Sequence, residues 1–306
     1  MNLYLAVTDS DWFRFLRSQP LIDEVNFWQP GGSSTFRRLQ PGEPLLFKLH
    51  APQNFIVGGG FFAHFSRLPA SRAWEAFEEK NGARTFAEMR ARIGRYRRAF
   101  LDPREDPEIG CVILTQPFFF DEIDWIPIPA DFSLNIVQGK TYDALQEPGR
   151  SLWMRVQGVL RMSQPAELAE EQLPMFGEPV LVRPRLGQGS FRVLITDTYQ
   201  RRCAVTQERA LPVLEAAHIR PVGEGGLHRI DNGLLLRSDL HRLFDRGYVT
   251  VTPDGRVHVS RRLKDEFDNG EIYYPLEGRE IWRPPGEAER PRPEFLEWHG
   301  DTVFRG

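Results

Sequence analysis

The chain has 306 residues, 41% of them hydrophobic and 26% charged, the composition of a soluble globular protein with length for two domains. A formal net charge of −3 gives no global signature of a polyanion binder, and two cysteines, Cys111 and Cys203, exclude a disulfide framework and an all-cysteine zinc site. No apolar run approaches the roughly 20 residues that a membrane helix needs. The opening MNLYLAVTDSDWFRF has no basic segment before an apolar one, so it does not read as a secretory signal. A reducing, cytoplasmic location is the expectation.

The first 150 residues read mainly as strands. Leu3–Val7, Pro44–His50, Phe55–Val57 and Cys111–Leu114 are short apolar or alternating runs bounded by Gly, Pro and Asn. One helical stretch over Ser71–Phe100 carries Trp74, Phe77, Phe86, Met89, Ile93 and Tyr96 at mostly helical spacing, with a break expected at Asn81–Gly82. Phe61–Phe100 holds nine basic and four acidic residues, whereas Leu101–Arg150 holds three basic and ten acidic. Arg92, Arg95, Arg97 and Arg98 fit either a contact with a phosphate backbone or a solvated helix face. Gly58–Gly60 lacks the GxGxxG-to-helix pattern of a dinucleotide loop and reads as a strand kink or close backbone approach.

From 151 to 188 the chain reads as a linker region, because QPAELAEEQLPMFGEPVLVRPRLGQG is rich in Pro, Gly and Glu and has no sustained period. The informative segment follows. A strand-like LPVLEAAHIRP ends in His218, a Gly-rich loop GEGGLHRIDNG follows, and LLLRSDLHRLFDRGYVTV carries a short helix over Asp239–Asp245 with Ser238 as its expected N-cap. His241 and Asp245 stand four apart, so both project from one helix face. Such a pair can bind a divalent cation, or can be a simple hydrogen-bonded pair.

The order AAHIRP, DNGLLL and SDLHRLFD resembles the three pieces of an HNH endonuclease, the ββα-metal nuclease fold. RLGQGSFR, RRCAVTQ and the terminal FLEWHGDTVF resemble the flanks of bacterial predicted restriction endonucleases of that type. The resemblance covers about Leu186 to Gly306, with the nuclease domain expected over 189–306. It implies His218 as general base, a task that suits a side chain with an unperturbed pKa of about 6.5. It implies Asn232 as the residue that braces the loop, His241 as metal ligand and catalytic residue, and Asp245 as a second ligand. Mg²⁺ or Mn²⁺ is the implied cofactor and double-stranded DNA the implied partner. Two departures stand out. Many relatives place a metal ligand just before the general base, where this chain has Ala217, and Glu215 is the candidate to compensate. Others staple the motif with two CxxC pairs, so no structural zinc is expected here. His228 reads as a surface residue or phosphate contact.

The first 150 residues resemble a PUA-superfamily module of the EVE type, on the strength of LYLAVTD, Trp12, Trp28, PGEPLLFKL, NFIVGGGFF and VILTQPFFF…DWIPIP. This resemblance implies a β-barrel with helices that takes a flipped, modified base such as 5-methylcytosine into an aromatic-walled pocket. Trp12, Trp28 and Trp125 are the pocket candidates, and Arg92, Arg95 and Arg98 the DNA-backbone candidates. The expected fold is therefore α+β, with a barrel, a linker and a ββα-metal domain. The expected function is modification-dependent restriction. The alternatives are a reader with a vestigial nuclease site, favoured only by Ala217, or a nuclease with an RNA or small-ligand sensor. An HNH site cuts one strand, so a double-strand break needs a homodimer or two binding events.

Overall fold

A computed structural model describes residues 1–32, 35–98, 101–102, 104–162 and 186–306. The chain divides into two compact units, Met1–Gly187 and Gln188–Gly306. No helix among the described residues is long and apolar enough to cross a membrane.

The first unit is a mixed sheet with helices. Its strands are β1 (Asn2–Thr8), β2 (Glu24–Gln29), β3 (Pro44–Leu49), β4 (Phe55–Pro69), β5 (Glu108–Phe119), β6 (Ile126–Pro127) and β7 (Gly139–Asp143). They run in the order β2-β5-β4-β3-β1-β7, with β6 paired to β4. Among the described residues only β1 and β3 pair in parallel, from Tyr4 opposite Leu45 to Thr8 opposite Leu49. Strand alternation divides the core: Leu3 and Leu5 point into one cluster, with Leu46 and Phe132, while Tyr4 and Ala6 point into another, with Trp12 and Phe47.

Two expectations change here. A closed barrel needs its first and last strands to hydrogen-bond, but among the described residues β2 pairs only with β5 and β7 only with β1. The sheet is open. Alternation in the sequence reports which face a side chain takes and is silent on whether the ends meet. The second change concerns the linker. Residues 151–162 belong to helix α4 (Gly149–Met162), whose Leu152 and Val156 are buried in the first unit's core. Of the rest of that expected linker, 163–185 lie outside the described residues, and Gln188 already begins the next helix.

The helical stretch of this unit breaks where glycine demands it. Helix α1 (Ser10–Arg17) precedes β2, then α2 (Ala70–Phe77) ends in a short 3-10 turn over Glu78–Asn81, and α3 (Phe86–Arg97) follows. Gly82 lies between them at φ +77°, and a Cβ there would meet Trp12 Cδ1 at 2.0 Å. Conformation and close packing both exclude a side chain at that position. Near Gly59 the pairing of β4 with β5 shifts register, in keeping with the expected kink.

The second unit begins with α5 (Gln188–Thr198). Strands β8 (Leu214–His218) and β9 (Gly233–Arg237) pair antiparallel, and α6 (Ser238–Asp245) follows without a break. Ser238 is the first helical residue rather than the N-cap, which is Arg237 with no side-chain capping bond. The Arg237 guanidinium instead grips Asp239 in the first turn, at 2.6 and 2.7 Å. A hairpin of β10 (Val249–Val251) and β11 (Val257–Val259), then α7 (Arg262–Phe267) and α8 (Pro293–Thr302), complete the unit. One core joins Phe191 and Ile195 of α5, and Tyr199 just after it, to Leu234, Leu235 and Leu236 of β9 and to Leu240 and Phe244 of α6. Cys203 is buried, and its Sγ accepts the backbone N–H groups of Thr206 and Arg237, both at 3.4 Å. That thiol ties the CAVT turn to the start of α6.

Candidate active site

The β8–β9 hairpin and α6 bring the motif residues together. His218 ends β8 opposite Gly233. A Cβ at Gly233 would meet Ile195 Cδ1 at 2.3 Å and Phe191 Cζ at 2.9 Å, so glycine leaves both side chains in place. With that room, α5 lays Phe191 flat on the His218 ring, with centroids 3.8 Å apart and planes 12° from parallel. Burial, then the charges that His228 and His241 can carry, bring His218 down to about 4. It is therefore neutral at pH 7, the state a general base requires.

Asn232 is fully buried and uses its whole amide. Nδ2 donates to the carbonyls of Arg220 at 2.9 Å and Leu227 at 3.1 Å, and Oδ1 accepts the Arg220 N–H at 2.9 Å. It thus clamps the chain two residues beyond His218 to the chain one residue before His228. His228 in turn places Nδ1 3.0 Å from His218 Nε2. In the sequence His228 reads as a surface residue or phosphate contact, with no sign of this pairing. A loop histidine ten residues past His218 has no spacing rule to mark it.

His241 lies on α6 between two carboxylates. Its Nδ1 is 2.7 Å from Glu215 Oε2, and its Nε2 is 3.4 Å from Asp245 Oδ2. In the neutral ring Nδ1–H donates to Glu215, which leaves the Nε2 lone pair on the side of Asp245. Glu215, the residue proposed to offset Ala217, therefore reaches the site through His241, while Ala217 is fully buried in the core. Burial pushes the Asp245 carboxyl up; the nearby Glu215 charge adds to this and His241 opposes it. Behind α6, His299 of α8 stacks on Phe244 at 3.6 Å. Its Nε2–H donates to the Phe244 carbonyl at 3.1 Å and its Nδ1 accepts from Thr250 Oγ1 at 2.8 Å. The terminal FLEWHGDTVF segment thus backs the helix that carries His241.

These donors fit a small divalent cation. Ligands in cis positions around an ion bound at about 2.1 Å stand about 3 Å apart, close to the 3.4 Å between His241 Nε2 and Asp245 Oδ2. Glu215 on the opposite ring nitrogen fixes the tautomer and orientation of a metal-bound imidazole. Among the described residues no group of three or more His, Cys, Asp or Glu side chains is arranged to hold a metal.

Residues 203–252 match the family of HNH endonucleases. The second unit carries an HNH endonuclease domain. The chain is therefore an endonuclease, and HNH nucleases use a divalent metal ion. Among solved structures the chain is similar to a modification dependent TagI restriction endonuclease, at 12% identity over 98% of this chain and 81% of that one. The TM-score is 0.31, too low to relate the two folds. No curated protein matches.

Outside the HNH domain, the first unit contains a cavity of about 530 Å³. Tyr4, Trp12, Phe27, Trp28 and Tyr96 give it aromatic walls, and Asp9, Gln29, His50, Arg92 and Gln138 supply polar groups. Trp12 is nearly buried and packs edge-on against Phe27 and Phe47. Trp28 is held by its Nε1–H, which donates to the Asn81 carbonyl at 2.9 Å. Asp9 caps α1 through the N–H groups of Asp11 and Trp12 and also accepts the Tyr96 hydroxyl. Burial alone would raise the Asp9 carboxyl, but these hydrogen bonds outweigh it and hold it below its ordinary value.

Trp125 lies outside this cavity. Its ring packs between Phe13 and Phe55, and Nε1 donates to the Phe120 carbonyl at 3.3 Å. The arginines also separate. Arg92 lines the cavity and is bound to Glu88 and the Gly82 carbonyl. Arg95 is more than half exposed and 3.4 Å from Asp9. Arg98 ends α3 in the left-handed conformation, at φ 52°. Arg97 is tied to the backbone carbonyls of Pro30 and Glu108.

Proposed function

We propose that the chain is a modification-dependent DNA restriction endonuclease that uses Mg²⁺ or Mn²⁺. The observation that carries the nuclease half is a neutral, stacked His218 beside the His241–Asp245 donor pair. In this reading His218 takes a proton from water, the water oxygen bonds to a backbone phosphorus, and the P–O bond to the departing 3′ oxygen breaks, that oxygen taking a proton from solvent. His241 and Asp245 would hold the ion, Glu215 orients His241, and Asn232 keeps the loop in place. A divalent ion held there would supply positive charge to the negative charge that builds in the transition state. Phe191 excludes water from one face of His218, which keeps the base neutral.

The reader half rests on the cavity of the first unit. A base removed from its stack needs aromatic faces to replace stacking and polar groups to read its edge. Trp12, Trp28 and Phe27 offer the faces; Asp9, Gln29 and Gln138 offer acceptors and donors. The occupant we propose is a modified base such as 5-methylcytosine, with the second unit cutting nearby. Cytoplasmic location, and a homodimer or paired binding for double-strand cutting, belong to this reading.

Plasmid cleavage with Mg²⁺ or Mn²⁺ on methylated and unmethylated DNA tests both halves, with His218→Ala as the control. Cutting of methylated DNA alone, abolished in His218→Ala, is expected. Equal cutting of both substrates keeps the nuclease and overturns the reader. No cutting of any modified DNA under either metal overturns the whole reading.

A further inference from the structure

We propose that His228 is a positioning residue for the general base: it holds His218 in the tautomer protonated on Nε2 and so leaves Nδ1 free to accept the proton of water. The inference rests on the reading of His218 as that base.

A neutral imidazole has one N–H and one lone pair. His218 Nε2 and His228 Nδ1 are 3.0 Å apart, so one of them donates to the other. If His228 donated, the proton of His218 would sit on Nδ1 and its only lone pair would be spent on His228. Such a ring cannot act as a base. If His218 donates from Nε2, its Nδ1 is unprotonated and available. Phe191 limits the alternatives, because its stacked ring fixes the plane of His218, and turning His218 over within that plane would point a C–H at His228 and forfeit the bond. Asn232 supports the pair from behind. One buried amide holds Arg220, two residues after His218, and Leu227, the residue before His228, and thereby sets the separation of the two rings.

The arrangement also serves the charged state. When Nδ1 takes the proton and hydroxide leaves for phosphorus, Nε2–H still points at the His228 lone pair. The positive charge formed on His218 then meets an acceptor instead of apolar surroundings. A second histidine does this without placing a permanent negative charge beside the phosphate that DNA brings to the site. A carboxylate in the same position would orient the ring equally well and repel the substrate.

Long-range ¹H–¹⁵N spectra of the metal-free, full-length protein at neutral pH read the tautomer directly. His218 is expected to show a protonated Nε2 and an unprotonated Nδ1. In cleavage assays, His228→Ala is expected to lower kcat by about tenfold or more with KM little changed. His228→Asn places an amide oxygen where Nδ1 stood, so it should restore most of that loss and the His218 tautomer with it. A His218 protonated on Nδ1 in the wild type overturns the proposal, as does wild-type cleavage by His228→Ala. Equal losses in the Ala and Asn variants, with the tautomer unchanged, reduce His228 to a structural role and overturn it too. A wild type that cuts no DNA, or a His218→Ala variant that still cuts, instead overturns the general-base reading itself.

Discussion

The two units each surround a candidate site with aromatic rings, but they assemble it over different lengths of chain. In the HNH domain the proposed base, its histidine neighbour, the loop clamp and the metal donors fall between Glu215 and Asp245, on one hairpin and the helix that follows it, and Phe191 of α5 stacks on His218 from outside that segment. In the first unit the cavity draws on residues from Tyr4 to Gln138. A short contiguous site leaves its spacing in the sequence, whereas a distributed one leaves only a scatter of aromatics. The electrostatics differ as well. His218 is kept neutral by burial, while Asp9 is kept charged by hydrogen bonds that offset burial. On the proposed reading, the first arrangement suits a group that moves a proton and the second a fixed acceptor.

The sharpest test of this contrast removes the proton carrier. His218→Ala is expected to reduce cleavage by about 10²–10⁴-fold, the usual contribution of a general base. Binding of modified duplex, measured by fluorescence anisotropy without metal, should stay unchanged. A parallel loss of binding would mean that the two sites are not separable.

Next in size is the clamp. Asn232→Ala removes three hydrogen bonds and strands the Arg220 N–H and the Arg220 and Leu227 carbonyls. Destabilisation of about 2–3 kcal/mol is expected, seen as a lower midpoint in urea. Asn232→Asp keeps the acceptor for Arg220 but turns a donor toward two carbonyls into a charge, so it should cost as much or more. A variant as stable as the wild type would show that the loop holds its shape without the amide.

Glu215 decides whether the departure at Ala217 matters. If it orients His241, Glu215→Ala should weaken Mn²⁺ binding by about 10–100-fold in calorimetry. His241→Ala should abolish specific binding. Unchanged affinity in Glu215→Ala would leave the carboxylate as a mere neighbour of His241, and absence of Mn²⁺ binding in the wild type would favour a vestigial site.

What could be read in advance follows from the same contrast. The strand ending at His218, the helix carrying His241 and Asp245, and the helical break at Gly82 are local, so periodicity, turn residues and motif order report them. His228 was hidden because its role depends on a loop folding back over ten residues, a path that the buried Asn232 sets. Ser238 as N-cap failed by one residue, because Arg237 and Asp239 pair across the helix start and supply local order without a cap. Closure depends on strand neighbours far apart in sequence, so alternation within strands does not separate the open sheet from a barrel. Trp12, Trp28 and Trp125 look alike in the sequence. Only packing separates two that line a cavity from one wedged between Phe13 and Phe55.

That separation gives a paired prediction. Trp28→Ala should weaken binding of modified duplex by about 5–150-fold, the value of stacking one base at 1–3 kcal/mol, with little effect on the folded state. Trp125→Ala should do the reverse, lowering the urea midpoint while binding per folded molecule persists. If both variants lose binding in proportion to their stability, the cavity is not the reading site.

The smallest expected effect concerns the helix that carries the arginines. Arg92 is only 12% exposed and committed to Glu88 and the Gly82 carbonyl, so it lacks a free guanidinium edge to offer a phosphate. Arg95 is 59% exposed and pairs loosely with Asp9 at 3.4 Å, which leaves most of its donors in water. A phosphate contact releases counterions, and one contact contributes about 0.9 to the slope of log affinity against log salt. Arg95→Ala should therefore flatten that slope by just under one unit, with a modest loss of affinity that shrinks as salt rises and with discrimination between modified and unmodified duplex intact. Arg92→Ala should instead disturb the wall beside Trp12 and Tyr96, and so alter discrimination more than the slope. If both arginines change the slope equally, the α3 face is an electrostatic track and the cavity wall is incidental to it.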